Sequence, residues 1–173
     1  MSIKTDQTFA LSLSTISFTI CFAVWTIFSI IGVQIKQDMG LSDTQFSLLI
    51  GTPILTGSLV RLFFGIWADQ YGGRPIFMAG GLISAFFFCL SAHSTFFTWC
   101  LTYAHTYEMM FLVALGIGIS GGSFVVGISY LSKWYDKNHQ GTALGVYGMG
   151  NIGAAVTKFL APFVMVSYGW TTV

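Results

Sequence analysis

Charge is what this sequence has least of. Lys, Arg, Asp and Glu make up 8% of its 173 residues, where an average soluble domain carries about 25%. A chain so poor in charge cannot coat a water-facing globule. Its formal net charge of +1 leaves no basic footprint for nucleic acid, which is not expected as a partner. Cysteine is limited to Cys21, Cys89 and Cys100, the first two in apolar runs and the third near a membrane boundary. None has metal-ligand spacing, and small packing residues are the expectation. His93, His105 and His139 fall in loops or at rims. With no nucleophile–base pair and no phosphate loop, neither an enzyme nor a metal or cofactor is expected. Acid is missing from the apolar runs: Asp69 stands at the end of one and Glu108 in a loop. A conduit for protons or metal cations would be expected to carry such groups inside the membrane.

What is present is apolar or small. Hydrophobic residues make up 54%, with 17 Phe and 20 Gly, and the mean hydropathy is +0.76. Five stretches, at about 9–35, 45–68, 76–92, 109–131 and 142–166, approach or exceed the roughly 20 residues that cross a hydrocarbon core. The first is too long for the apolar segment of a signal peptide and is read as a retained span. Residues 1–173 are therefore read as one all-α transmembrane bundle without a soluble domain. Trp99, Tyr103 and Tyr107 mark an interfacial loop. Lys4, Arg74, Lys133 and Lys137 fall on one side of the membrane and Lys36 alone on the other. By the cytoplasmic preference of Lys and Arg, the N-terminus is cytoplasmic.

Against this background Arg61 stands out. It is a permanent cation in the second span, about 12 Å from that span's end at 1.5 Å per residue. A guanidinium cannot shed its proton to escape low dielectric, so its position is a functional hypothesis by default. The same arithmetic puts Asn151, Phe124 and Phe22 near the midplane of a core about 30 Å thick. Amide groups exposed around Gly148, Gly150 and Asn151, together with a guanidinium, suit oxyanion oxygens, and Phe22 and Phe124 can wall a flat, poorly hydrated anion. Gly116, Gly118, Gly121 and Gly122 read as a packing surface. Lys158 is a second cation, two turns beyond Asn151 on the same face. It is either a rim residue, a way-station for an anion, or a group whose protonation is coupled to transport. Two intramembrane cations without an internal carboxylate favour an anion path. Gly148-Met149-Gly150-Asn151-Ile152-Gly153 matches G-x-G-x-x-G, but within a membrane helix and after no strand, so a dinucleotide site is rejected.

Two motifs carry a family resemblance. Gly65-Ile66-Trp67-Ala68-Asp69-Gln70-Tyr71-Gly72-Gly73-Arg74 resembles the loop signature G-x-x-x-D-[RK]-x-G-x-[RK] of the major facilitator superfamily, with Gln70 in place of a basic residue. It implies that Gly65, Asp69, Gly72 and Arg74 form a cytoplasmic latch between conformations. Gly148-Met149-Gly150-Asn151-Ile152-Gly153 resembles the A-G-x-G-N-x-G-G-G signature of that superfamily's nitrate/nitrite porters (NarK/NasA type). Tyr147, Ala154 and Ala155 depart from it. The resemblance implies that Arg61 and Asn151 contact the anion and that Phe22 and Phe124 flank it. It also implies twelve helices in two halves of nested repeats, of which this chain holds about five.

The expectation is an N-terminal piece ending before a sixth helix, in a multi-pass protein of the plasma membrane. It would need a C-terminal half to transport nitrate or nitrite by alternating access, with protons or by exchange. The alternatives are another superfamily transporter, of a drug or small organic solute, and a non-transporting nitrate sensor or structural protein.

Overall fold

The computed structural model describes residues 3–70, 96, 99–100, 103 and 106–169. The stretch 76–92, read as the third span, lies outside the described residues. Among the described residues there is no strand, and four helical stretches are long and apolar enough to cross a membrane: Thr5–Met39, Asp43–Ile66, Tyr107–Trp134 and Lys137–Tyr168. The shortest, at 24 residues, reaches about 36 Å at helical rise. They are called here the first, second, fourth and fifth spans.

Local chemistry sets the span ends. The first span closes at Gly40, left-handed at φ 62° and ψ 36°, with the Gly40 and Leu41 N–H groups both returning to the Lys36 carbonyl. Buried Leu41 completes this glycine cap. The second span opens with a reciprocal capping box: the Ser42 N–H donates to Gln45 Oε1 at 3.1 Å, and the Gln45 N–H to Ser42 Oγ at 3.3 Å. Lys36 and Asp43 form an ion pair across this turn. Thr106 caps the fourth span by accepting from the Met109 N–H. At its other end Tyr135 is extended and Asp136 opens the fifth span, with His139 Nδ1 2.7 Å from Asp136 Oδ1.

Three of these spans change geometry near mid-depth. The first consists of helices Ile3–Trp25 and Phe28–Met39. Between them the Ile27 N–H donates to the Val24 carbonyl, a tightened turn, and the Thr26 hydroxyl donates to the carbonyls of Phe22 and Ala23. The fourth passes through a 3₁₀ turn at Ser120–Gly122 between Tyr107–Ile119 and Ser123–Trp134. The fifth does so at Met149–Asn151, between Lys137–Gly148 and Ile152–Tyr168. The second span, Asp43–Gln70, is unbroken despite an internal Pro53.

The second span packs along the fourth, and the first lies against the fifth. Between membrane helices there is no hydrophobic drive, so close van der Waals contact and hydrogen bonds decide the pairing. The second and fourth spans cross where side chains vanish. A Cβ on Gly118 would stand 2.6 Å from Thr56 Cβ, and one on Gly57 would stand 2.9 Å from the Gly118 carbonyl oxygen. Two apolar clusters lie on either side of this level. One gathers Phe28, Ile31, Ile35, Leu49, Met110 and Ile117; the other gathers Ala10, Phe18, Tyr130, Leu131 and Tyr147. Large apolar side chains on the opposite helix faces, such as Leu55, Leu62, Phe159 and Phe163, are exposed, as suits contact with lipid or further helices.

Gly118→Val is expected to destabilise the bundle by about 1–3 kcal/mol through overpacking at the crossing, read as a lower midpoint of thermal unfolding in detergent. Gly141→Ala, where a Cβ meets nothing within 4 Å inside the helix Lys137–Gly148, is expected to keep that midpoint level or raise it slightly, through the helix preference of Ala over Gly.

Candidate functional site

Arg61 is half-buried at the level of the crossing. Its Nε donates to the Gly121 carbonyl at 2.9 Å, and its guanidinium carbon lies 4.9 Å from the centroid of the Trp25 ring, over its face. The acceptor belongs to the 3₁₀ turn Ser120–Gly122, and Gly121 adds no side chain to obstruct the approach. Among the described residues, the ion pairs are Lys36–Asp43 and His139–Asp136, both at span ends. No carboxylate there compensates Arg61. A guanidinium has five N–H donors in a planar fork; Nε is engaged, and the Nη groups make no hydrogen bond among the described residues.

Trp25 is itself fixed. Its indole N–H donates to the Pro53 carbonyl at 2.9 Å, on the same span as Arg61. Its ring edge is seated on two glycines: a Cβ at Gly57 would lie 2.9 Å from Trp25 Nε1, and one at Gly121 3.1 Å. From Trp25 an aromatic row runs toward the N-terminal end of the first span, with Phe22 at 5.4 Å from Trp25 and Phe18 at 5.4 Å from Phe22. Phe18 then meets Phe124 at 5.5 Å and stacks on Tyr147 at 4.9 Å. Buried Tyr147 gives its hydroxyl proton to the Ser123 carbonyl at 2.8 Å.

The expected site residues separate into two groups. Arg61, Phe22 and Phe124 belong to this layer, Phe22 through Trp25 and Phe124 through Phe18, which stands between the two phenylalanines. Asn151 is exposed, and its Nδ2 donates to its own helix's Gly148 carbonyl at 2.8 Å. Gly148 and Gly150 lie on opposite sides of the fifth span, as two residues' rotation of about 200° requires. Gly150 is buried, and a Cβ there would run into the Phe18 ring; a Cβ on Gly148 meets nothing within 4 Å. The inward face of that span reads Ala143, Tyr147, Gly150, Ala154 and Ala161. Asn151 and Lys158 share the exposed face. Gly65 faces Val125, with a Cβ 3.3 Å from Val125 Cγ1. Asp69 lies in the last turn of the second span; Gly72 and Arg74 lie outside the described residues. Trp25 and Phe18 stand outside the residues expected from sequence. Their signal is the spacing of Phe18, Phe22 and Trp25, an i, i+4, i+7 row on one helix face.

The family model of the Major Facilitator Superfamily matches residues 13–173. A bundle of apolar helices with a guanidinium at its centre fits that match, and the chain belongs to this superfamily. It is similar to a probable nitrate/nitrite antiporter, NarK1, of Thermus thermophilus, at 43% identity over 164 residues, 95% of this chain and 35% of the relative. It is also similar to probable nitrate transporters, NarT, of Staphylococcus haemolyticus, at 35% identity over 169 residues, and of Staphylococcus aureus strain JH9, at 34% over 169 residues. Both NarT matches cover 98% of this chain and 41% of the relative. The chain thus spans about two fifths or less of the length of the relatives it matches.

Arg61→Gln removes a charge that no carboxylate among the described residues compensates, and keeps an amide donor. The unfolding midpoint in detergent is expected to stay level or rise, because an unpaired charge away from water is costly. A clearly lower midpoint would make Arg61 a structural clamp on Gly121.

Proposed function

We propose that this chain forms part of a transporter of nitrate, nitrite or both in the plasma membrane, working by alternating access, with the anion held at Arg61. The observation that carries this reading is the Arg61 guanidinium: mid-depth, uncompensated among the described residues, with its Nη edge unused. An anion of low charge density loses hydration on entering such a site, and a fixed charge in a dry surround offsets that loss. Guanidinium geometry suits a planar oxyanion, which can accept two parallel N–H bonds. The names of the similar proteins support the same substrates.

Around Arg61, the proposed site comprises Asn151 and Gly148 of the fifth span and the rings of Phe22 and Phe124, with Gly150 serving it from behind as the seat of Phe18. The open face carrying Asn151 and Gly148 is turned toward a second helical half, which completes the site. Gly65, Asp69, Gly72 and Arg74 serve as the cytoplasmic latch, on the side where the N-terminus also lies. Entry of an anion against an inside-negative potential costs about 2.3 kcal/mol per 100 mV. Uptake is therefore driven by co-moving protons or by another anion leaving, and Lys158 lies on that path.

Two experiments test this in membrane vesicles carrying the complete gene product. Arg61→Lys replaces a planar fork by a point charge and is expected to lower labelled-nitrate uptake by about tenfold or more, the loss of one charge-assisted hydrogen bond. Wild-type uptake at equal expression would remove Arg61 from the site. Lys158→Gln is expected to lower labelled-nitrate uptake by removing a cation from the anion's path; unchanged uptake at equal expression would leave Lys158 a rim residue.

A further inference from the structure

We infer that Trp25 is a positioning and specificity-determining residue: it fixes the plane of the Arg61 guanidinium so that the centre selects flat oxyanions over tetrahedral ones. The inference rests on the proposal that Arg61 receives the anion.

The geometry supplies three restraints. Arg61 Nε is tied to the Gly121 carbonyl, which stops the head group from sliding along its stem. The Trp25 face lies 4.9 Å from the guanidinium carbon and covers one side of the cation. Trp25 cannot yield, because its N–H is bonded to the Pro53 carbonyl at 2.9 Å and its edge rests on Gly57 and Gly121. The unused donors are then those at the Nη edge, in the guanidinium plane. An anion arriving there forms its two best hydrogen bonds in that plane.

For a trigonal oxyanion every oxygen can lie in that plane; Phe22 stands beside it, its ring 5.4 Å from that of Trp25 and tilted by 38°. A tetrahedral oxyanion bound by the same two oxygens must project others above and below it. On the indole side such an oxygen meets a ring face, whose quadrupole is negative. The same quadrupole attracts the cation. One ring thus holds the arginine and repels out-of-plane oxygen. A phenylalanine at position 25 would keep the ring face and lose the tether to Pro53; a leucine would lose both.

The test uses the complete gene product in detergent, titrated with sodium nitrate and, separately, with sodium perchlorate. Binding is read by calorimetry, and the anion-free unfolding midpoint is recorded for each variant. Trp25→Leu is expected to weaken nitrate binding about tenfold, within the range of a desolvated cation–π contact, and to narrow the preference for nitrate over perchlorate. Trp25→Phe is expected to recover most of both, although both variants lose the same indole hydrogen bond and with it a similar part of the midpoint. Recovery by phenylalanine at a lowered midpoint separates positioning from mere stability. The inference is overturned if the wild type binds nitrate and Trp25→Leu keeps both its affinity and its preference, or if Trp25→Phe loses as much as Trp25→Leu. A wild type that binds no nitrate would instead overturn the assignment of Arg61 to the anion, and this inference with it.

Discussion

The constraint on which the described bundle turns is a guanidinium at mid-depth with no described carboxylate beside it. A cation that cannot deprotonate must find its compensation in dipoles and ring faces. Here it finds one carbonyl, at Gly121, and one indole face, at Trp25. Each of these makes further demands. Gly121 must lack a side chain, Gly57 must lack one opposite it, and Trp25 must reach the Pro53 carbonyl on the helix that carries Arg61. Three spans are bound into one layer by these requirements. Two carbonyls at the 3₁₀ turn of the fourth span, those of Gly121 and Ser123, accept from Arg61 and Tyr147.

This polar layer lies between two apolar clusters, each built from several spans. The breaks of the first and fourth spans, at residues 26–27 and at Ser120–Gly122, meet at the level of Trp25 and bring irregular backbone beside the charge, while the turn of the fifth span seats Phe18 further along the first span. Irregular backbone inside a membrane is tolerated where protein or a cavity receives its polar groups. The second span, which carries the charge, stays continuous from Asp43 to Gln70, so Arg61 is presented from an unbroken element while its partners sit on turns. A preorganised donor set on a rigid helix is what selective recognition of a small anion requires.

Much of this was legible before any coordinates. Low charge and long apolar runs have few physical solutions, because backbone groups in lipid must be satisfied within helices or closed barrels. Arg61 was visible for the same reason, as a charge where charge is expensive. The Phe18, Phe22 and Trp25 row was open to view in its spacing. Other features were not. Thr26 bonds backward to carbonyls beside a helix break, yet Thr15, Thr19, Thr52 and Thr56 make similar bonds within continuous helix. A threonine therefore does not announce the break. Gly148 and Gly150 share a motif and a depth, but one is open and the other seats Phe18.

By itself the sequence determined the class, its apolar helical character and the shortage of acid in the apolar runs, because composition is a property of the chain alone. Tertiary structure decided how each helix is rotated about its axis, and so which glycines are seats and which are open. It also decided that Asn151 turns to its own helix, and that Arg61 rests on Trp25 and Gly121. Rotation and crossing are set by contacts between spans far apart in the chain, which no local pattern encodes. Arg61 was expensive by sequence; its orientation and its unused edge belong to the fold.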